Sequence, residues 1–433
     1  FVRTTAPEAM EILARIPGIS SLSRVEAKCR AELPVIVERG REIFADRVVG
    51  RTYAVRARRA GTHPFSSYDV QRELGAALNP GARVDLSNPE VEVEVEIRDD
   101  WAYFFSGRVD GLGGLPLGVE GRAICLLSGG FDSAVAAFLM LKRGVELDYV
   151  FCNLAGEAYE RSVVQVAKVL ADRWSYGSRP RLFVVDFGPP VDEIRARSNP
   201  RYWQVVLKRL MYGAAERIAS GTGALAVVTG EAIGQVSSQT LHNLAAIDGA
   251  SALPVIRPLV GFDKGEIIET SRRVGNFEIS SGVKEYCAIA PGNPVTHATP
   301  RSAQAEEAKL DPAVLRRAVE ATREIDLRAL SAADLVESYL YIDQLPEGAV
   351  VVDVRGEQEW EAWHRPGAIR LEPWEIAGRL KEFDPERTYV LYCDVGMQAA
   401  FAAEQMQRAG LEAYAFRGGT RALRERTGAA HPA

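Results

Sequence analysis

Ala123-Ile124-Cys125-Leu126-Leu127-Ser128-Gly129-Gly130-Phe131-Asp132-Ser133 is the stretch whose reading decides the fold. Its first five residues are apolar without alternation, the mark of a strand buried on both faces of a parallel sheet. A helix is predicted directly after it, over 132–143. The loop between them therefore lies where a doubly wound sheet binds its ligands, at the carboxyl end of a strand. Gly129 and Gly130 let the backbone approach a polyphosphate closely, and the helix N-terminus turns its positive end to the charge. Ser128 and Ser133 add hydroxyl donors. Asp132 has a different expected task, holding a magnesium ion or positioning a pyrophosphate leaving group. The string is not a Walker A motif, which needs a lysine after its last glycine.

Downstream the same grammar continues. Strands are predicted over 147–151, 181–186 and 225–228, alternating with helices over 160–173 and 201–219. A Pro-containing stretch at 291–300 closes this unit, and a helical segment over 301–330 follows as a connector. Strands at 350–354 and 389–392, with helices at 357–363 and 397–409, make a third, smaller α/β unit. Upstream the pattern differs. Helices are expected over 5–17 and 26–39, a strand over 52–58 and a helix over 67–78. Val91–Ile97 alternates apolar and acidic residues with period two, a half-buried strand, and Ala102–Phe105 reads as its antiparallel partner. The Gly-rich run 111–118 reads as a linker. The fold class is thus multidomain α/β: an α+β unit, a doubly wound parallel sheet, and a small α/β domain.

A chain of 433 residues fits two to four domains. It begins at Phe1, and Val2-Arg3 reads as the stub of a strand from a longer protein. No apolar run approaches about 18 residues and no secretory signal opens the chain, so a cytoplasmic protein without membrane contact is expected. The net charge of −6 argues against wholesale coating of nucleic acid. Arg47, Arg51, Arg56, Arg58 and Arg59 nonetheless cluster without an intervening acid beyond Arg47, and read either as a solvated strand edge or as a phosphate patch. Five cysteines, widely spaced and without a C-x-x-C pair, exclude a disulfide scaffold and a metal site built from cysteine pairs.

Two further segments support the phosphate loop. Thr229-Gly230-Glu231-Ala232-Ile233-Gly234-Gln235-Val236-Ser237-Ser238-Gln239-Thr240 follows a strand and is dense in glycine, hydroxyl and amide groups, as a ligand wall would be. Asp263-Lys264-Gly265-Glu266 opens a helix, where a lysine opposes the dipole unless something negative is near. An ATP phosphate would supply that charge.

SGGFDS resembles the PP-loop of ATP pyrophosphatases, which cleave ATP to AMP and pyrophosphate while adenylating a carbonyl or enolic oxygen. SGGFDS, TGEAIGQVSSQT, RPLVGFDKGEII and EYCAIAPGNPVTHA, in that order and spacing, resemble the tRNA 4-thiouridine synthetase family, also called the thiamine-biosynthesis sulfurtransferases. The resemblance covers essentially the whole chain. It implies a remnant of a ferredoxin-like domain at 1–25, a THUMP tRNA-binding domain at 26–110, a linker at 111–121, the PP-loop adenylation domain at 122–300, a helical connector at 301–345 and a rhodanese-like domain at 346–433. It also implies that Leu126, Leu127, Ser128, Gly129, Gly130, Asp132, Ser133, Lys208, Gly230 and Gln239 hold ATP. Asp132 and Lys264 would serve adenylation, Asp132 with Mg2+, and Arg56, Arg58 and Arg59 would meet tRNA phosphates. Taken alone, Lys208 reads as an exposed helix lysine.

DVR at 353–355, WHRPGAI at 363–369, YCDVGMQA at 392–399 and RGG at 417–419 resemble a rhodanese throughout. Cys393 ends a strand just before a helix, where backbone N–H groups stabilise a thiolate or persulfide. Gln398 stands where many rhodaneses carry an arginine, which favours a protein sulfur donor over thiosulfate. The resemblance implies that Cys393 carries a persulfide and that Cys287 forms a transient catalytic disulfide with it, or first releases sulfide. Its partners would be tRNA, a cysteine desulfurase, a cellular reductant and the sulfur-carrier protein of thiamine synthesis, and a homodimer is compatible with the sequence. Cys29, Cys125 and Cys152 read as packing residues. A sulfur carrier for thiazole synthesis is the competing reading. An amidase or ligase of the GMP-synthetase kind is a third, without a glutaminase-like domain to support it.

Overall fold

The computed structural model describes residues 1–6, 8–154, 157–281, 293–331, 340–372, 375–376, 379–394 and 397–427. Two compact units emerge, residues 19–112 and a discontinuous one made of 1–18 with 113–433.

The 19–112 unit is a five-stranded sheet in the order β1-β5-β4-β2-β3. Its strands are β1 (Ser21–Arg30), β2 (Thr52–Ala60), β3 (Arg83–Val84), β4 (Val91–Arg98) and β5 (Trp101–Asp110). β4 and β5 pair antiparallel as expected, with Val95 opposite Phe104. The helices Leu33–Val48 and Ser67–Leu78 bury Ile36, Phe44, Val70 and Leu74 with Val93, Val95 and Phe104 of the sheet. Ser66 starts the second helix through a capping box with Asp69.

One expectation fails here. Residues 26–30, expected to begin a helix, belong to the edge strand β1, and the helix begins only at Leu33. The register of β1 on β5 shifts twice, between Leu22 and Arg24 and between Val25 and Ala27. Each irregularity breaks the period-two signal that identifies a strand. Pro34 marks the true helix start, since a first-turn proline gives up no intrahelical hydrogen bond. The strand also crosses residue 25, so Ser21–Arg30 belongs whole to this unit.

The larger unit carries a six-stranded sheet in the order β10-β9-β6-β7-β8-β11. Its strands are β6 (Arg122–Leu126), β7 (Glu146–Asn153), β8 (Arg181–Asp186), β9 (Val227–Val228), β10 (Val255–Ile256) and β11 (Arg323–Asp326). The first five run parallel, and β11 pairs antiparallel with β8. β11 departs from the helical connector expected over 301–330: helices Pro300–Glu307 and Pro312–Glu320 are followed by this strand, which extends the sheet edge. The chain runs β6, β7, β8 in one direction, then returns to lay β9 against the other side of β6. That reversal opens a crevice between β6 and β9 at their carboxyl ends.

The third sheet is wholly parallel, in the order β12-β16-β15-β13-β14. It contains β12 (Tyr341–Ile342), β13 (Val350–Asp353), β14 (Ile369–Arg370), β15 (Thr388–Tyr392) and β16 (Glu412–Phe416). The helix Met397–Arg408 covers it with Ala399, Ala403 and Met406. Helix Ala9–Ala14 clusters with this larger unit and not with residues 19–112.

Phe104 is fully buried between sheet and helices of the smaller unit. Phe104→Ala is expected to destabilise that unit by about 3–5 kcal/mol, read by denaturant unfolding followed through Trp101 fluorescence.

Candidate functional site

The phosphate loop sits at the mouth of the crevice. Helix Phe131–Lys142 begins at Gly130, and no side chain caps its first N–H groups. A helix start of this kind is an anion site. The loop is stapled from inside: the Ser128 N–H donates to Ser133 Oγ at 3.0 Å, and the Ser128 and Ser133 hydroxyls lie 3.2 Å apart. Ser133 is thus a buried closure of the loop. Leu127 is buried, and its N–H donates to Val150 O on the neighbouring strand. Leu126 is half-buried above the apolar core.

Gly230 closes the other wall. A Cβ there would fall 2.5 Å from Ser133 N and 2.6 Å from the Asp132 carbonyl carbon. Glycine is therefore what lets the 229–231 loop lie directly on the first turn of the phosphate helix. Gln239 is buried and shapes the following loop, accepting from the Ala232 N–H at 3.4 Å through Oε1 and from the Gly234 N–H at 3.0 Å through its carbonyl.

Asp132 is half-buried and receives Lys264 Nζ on both oxygens, at 3.0 and 3.1 Å. Lys264 lies in the first turn of helix Lys264–Val274, which Asp263 and Glu266 cap reciprocally. Asp132 supplies negative charge that offsets its clash with the dipole. Its ammonium also lies 4.4 Å from the Phe131 ring centroid, and Phe131 stacks on Phe277. Among the described residues no cluster of three or more His, Cys, Asp or Glu side chains could hold a metal by itself. A lone carboxylate suits Mg2+, which is commonly held by one or two carboxylates together with substrate phosphates.

Lys208, on helix Trp203–Thr222, reaches the same crevice and stands 3.4 Å from Glu231 Oε1. Burial pushes the Glu231 carboxyl up, but Lys208, the Tyr212 hydroxyl and Arg257 outweigh it and hold it below the usual carboxylate range. Sequence reasoning passed over Glu231 as one polar residue among many. It also missed Asn243, which is fully buried. Asn243 donates to Ser237 O and Val295 O and accepts from the Ala298 N–H, tying the irregular segment 295–298 to the turn at 237–239. Cys287, expected to be redox-active, lies outside the described residues.

Cys393 follows β15 and is 1 % exposed. Its carbonyl accepts from the Thr420 N–H at 3.0 Å, and Gly419, at φ +59°, presses against it. A Cβ at Gly419 would lie 2.3 Å from Cys393 O. The adjoining Asp394 gathers arginines from three places: Arg355 at 3.3 Å, Arg15 at 3.5 Å, and Arg173 of helix Glu157–Trp174 through its charge. Arg355 is itself locked by Asp353 in a buried bidentate pair. Arg173 also reaches Glu359 at 3.4 Å. Gln398 lies in the first turn of the covering helix, and its side chain falls outside the described residues.

The remaining cysteines are held as thiols by their surroundings. Burial pushes Cys29 up to about 11 and Cys125 up to about 12, and raises Cys152 as well.

In the smaller unit Arg56, Arg58 and Arg59 are all exposed. Parallel pairing sets Glu94 beside Arg56 and Glu96 beside Arg58. Arg56 donates to Leu86 O and lies 3.6 Å from Glu92, and Arg59 donates to Gly61 O. This face mixes signs, so its arginines offer less net positive charge than the bare cluster suggested.

Asp394 is held below the usual carboxylate range: burial raises it, but Arg173, Arg355 and Arg15 prevail. Its contribution to stability is therefore full above about pH 4 and lost as pH falls through the lowered value. Asp394→Asn is expected to cost roughly 1–3 kcal/mol at pH 7 and to flatten the acid loss of the unfolding midpoint, measured by thermal melts across pH.

A family model described as thiamine biosynthesis protein (ThiI) matches residues 118–311, a THUMP domain model residues 30–106, and a rhodanese-like domain model residues 339–426. The chain is 40 % identical over 96 % of its length to a tRNA sulfurtransferase of Desulfurococcus amylolyticus, covering 86 % of that protein. It is 37 % identical over 94 % of its length to a tRNA sulfurtransferase of Pyrobaculum aerophilum, covering 84 % of that protein. Among solved structures, a 4-thiouridine synthetase–RNA complex with bound ATP matches at a TM-score of 0.67 and 32 % identity. That match covers 75 % of this chain and 87 % of the other. No helix of the described residues is long and apolar enough to cross a membrane. With the crevice built from SGGFDS and TGEAIGQVSSQT, the cysteine loop of the third sheet and likeness along nearly its whole length, the chain belongs to the tRNA sulfurtransferase family.

Proposed function

We propose that this chain makes 4-thiouridine in tRNA, at position eight, using ATP to activate the uridine O4 and a Cys393 persulfide to deliver sulfur. The observation that carries the ATP reading is the uncapped helix start at Gly130, set between Lys208 and Lys264 at the switch point. Backbone N–H groups and two ammonium groups there match the charge of a polyphosphate. Leu126, Leu127 and Gln239 would border the nucleotide. Lys264 would stabilise charge developing on the leaving pyrophosphate, with Asp132 fixing its place. Asp132 is also the carboxylate able to hold Mg2+, which would neutralise phosphate charge.

The sulfur chemistry balances as follows. A cysteine desulfurase leaves a persulfide on Cys393. Its terminal sulfur attacks C4 of the adenylated uridine, AMP departs with the O4 oxygen, and the sulfur stays bonded to both C4 and Cys393 Sγ. The Cys287 thiolate then attacks Cys393 Sγ, which breaks the S–S bond, frees 4-thiouridine and joins the two cysteines. A dithiol reductant reopens that disulfide. In the other order, Cys287 first releases sulfide from the persulfide and the sulfide attacks C4. The same persulfide would serve the sulfur-carrier protein of thiamine synthesis. We assign tRNA docking to the THUMP unit, whose expected start at 26 moves back to 19 so that β1 stays whole, adenylation to 122–300 and sulfur carriage to 346–433.

The test supplies unmodified tRNA, ATP, Mg2+, cysteine and a desulfurase, and follows the near-ultraviolet absorbance of 4-thiouridine. Wild type that made none would sink the proposal. Asp132→Ala and Cys393→Ala are each expected to lower product formation at least about 100-fold. Full multiple-turnover activity of Cys287→Ala would remove the disulfide step. Gly230→Ala, which drives a methyl into the backbone at Ser133, is expected to raise KM for ATP about tenfold or more. Replacing Arg56, Arg58 and Arg59 together is expected to weaken tRNA binding and reduce its salt slope by up to about 3 in filter-binding titrations.

A further inference from the structure

Glu231 is a carboxylate at 2 % exposure whose two oxygens live in different surroundings. Oε2 accepts from the Tyr212 hydroxyl, from the Thr229 hydroxyl at 3.1 Å and from Arg257 Nε at 3.0 Å. Those three donors satisfy that oxygen and fix the orientation of the group. Oε1 accepts no hydrogen bond and faces Lys208 Nζ at 3.4 Å. A carboxylate at this depth is costly unless its charge is paired, and a purely structural one would be expected to fill both oxygens.

The geometry around it explains the arrangement. Lys208 and Tyr212 are four residues apart on one helix and so share a face, and both converge on Glu231. Arg257 donates through a single nitrogen, Nη2, to both the Tyr212 hydroxyl and Asp248 Oδ1, so Asp248 takes much of its charge. Oε1 is left to the lysine. The two groups form an ion pair without a hydrogen bond between them, which leaves the ammonium N–H bonds available, and the Lys208 side chain is 32 % exposed. Glu231 also directly follows Gly230, whose backbone rests on Ser133. A shift of the carboxylate would therefore be felt on both walls of the crevice.

We propose that Glu231 is a positioning residue that holds the Lys208 ammonium at the crevice between β6 and β9, with its N–H bonds turned to the nucleotide phosphates. It acts through Lys208 and touches no reacting atom. This rests on the ATP-binding reading above. The full chain would be titrated with ATP and Mg2+ by calorimetry as wild type, Glu231→Gln, Lys208→Met and the double variant. Each single substitution is expected to raise Kd about tenfold, and the double variant to bind no more weakly than Lys208→Met alone, the signature of one shared interaction. At saturating ATP, kcat of Glu231→Gln should stay within about threefold of wild type, whereas a merely structural role would reduce folded protein and spare Kd. If Glu231→Gln gives no cooperative melt, Glu231→Asp carries the same cycle, since it keeps the charge but withdraws it from Lys208. Unchanged Kd in the Glu231 variant, or effects that multiply independently, would overturn the proposal. Wild type that bound no ATP would overturn the nucleotide reading beneath it, a result distinct from loss confined to the Glu231 variants.

Discussion

Gly230 rests on the peptide between Asp132 and Ser133 with no space for even a methyl group. That close approach lets two loops from non-adjacent stretches of chain form one crevice. On one side stands the phosphate helix with its bare N–H groups, on the other the loop that leads into Glu231 and on to Gln239. The same approach brings Lys208, paired with Glu231 beside that glycine, and Lys264, paired with Asp132, to the two walls of one crevice. The reversal of strand order supplies the opening, and the glycine sets its width.

The third sheet repeats this solution with different atoms. Gly419 presses on the carbonyls of Cys393 and Asp394 as Gly230 presses on the phosphate helix. In both places a glycine brings one backbone against another so that polar main-chain groups face a common point. Around the cysteine loop, arginines from three segments balance a single aspartate, and each guanidinium answers a carboxylate already in place. The charges are arranged in chains and not in isolated pairs.

The parallel sheet, the phosphate loop and the cysteine loop were legible in the sequence because each depends on a short contiguous pattern: an apolar run, a glycine pair, a helix start. β4 was legible for the same reason, with Val93, Val95 and Ile97 facing one core. β1 was not, because two register shifts erased its alternation, and β11 was not, because a four-residue edge strand has too little burial to leave a pattern. The site divides along the same line. Asp132 was recognisable by its neighbours in the chain, whereas its pairing with Lys264 joins residues far apart in sequence. Glu231, Asn243 and Asp394 take their meaning from partners on other elements, which no local spacing reports. The surroundings of the exposed arginines of β2 were not legible for a related reason: the acids beside them arrive from β4 by pairing.

The helix Ala9–Ala14 ends at Arg15, which contacts Tyr176 and Asp394, while Glu11 reaches Arg424. Of these partners Asp394 and Arg424 are made hundreds of residues later on the ribosome, Tyr176 sooner. Residues 19–112 form a compact unit that interrupts the larger one, and can gather their own core as soon as they emerge. The helix before them, at six residues, is not stable alone. Its contacts to Asp394 and Arg424 wait until the chain beyond β15 has been synthesised. The ion pairs of this helix with Asp394 and Arg424 therefore close only after the third sheet has been made, so a stretch read early is tied down late.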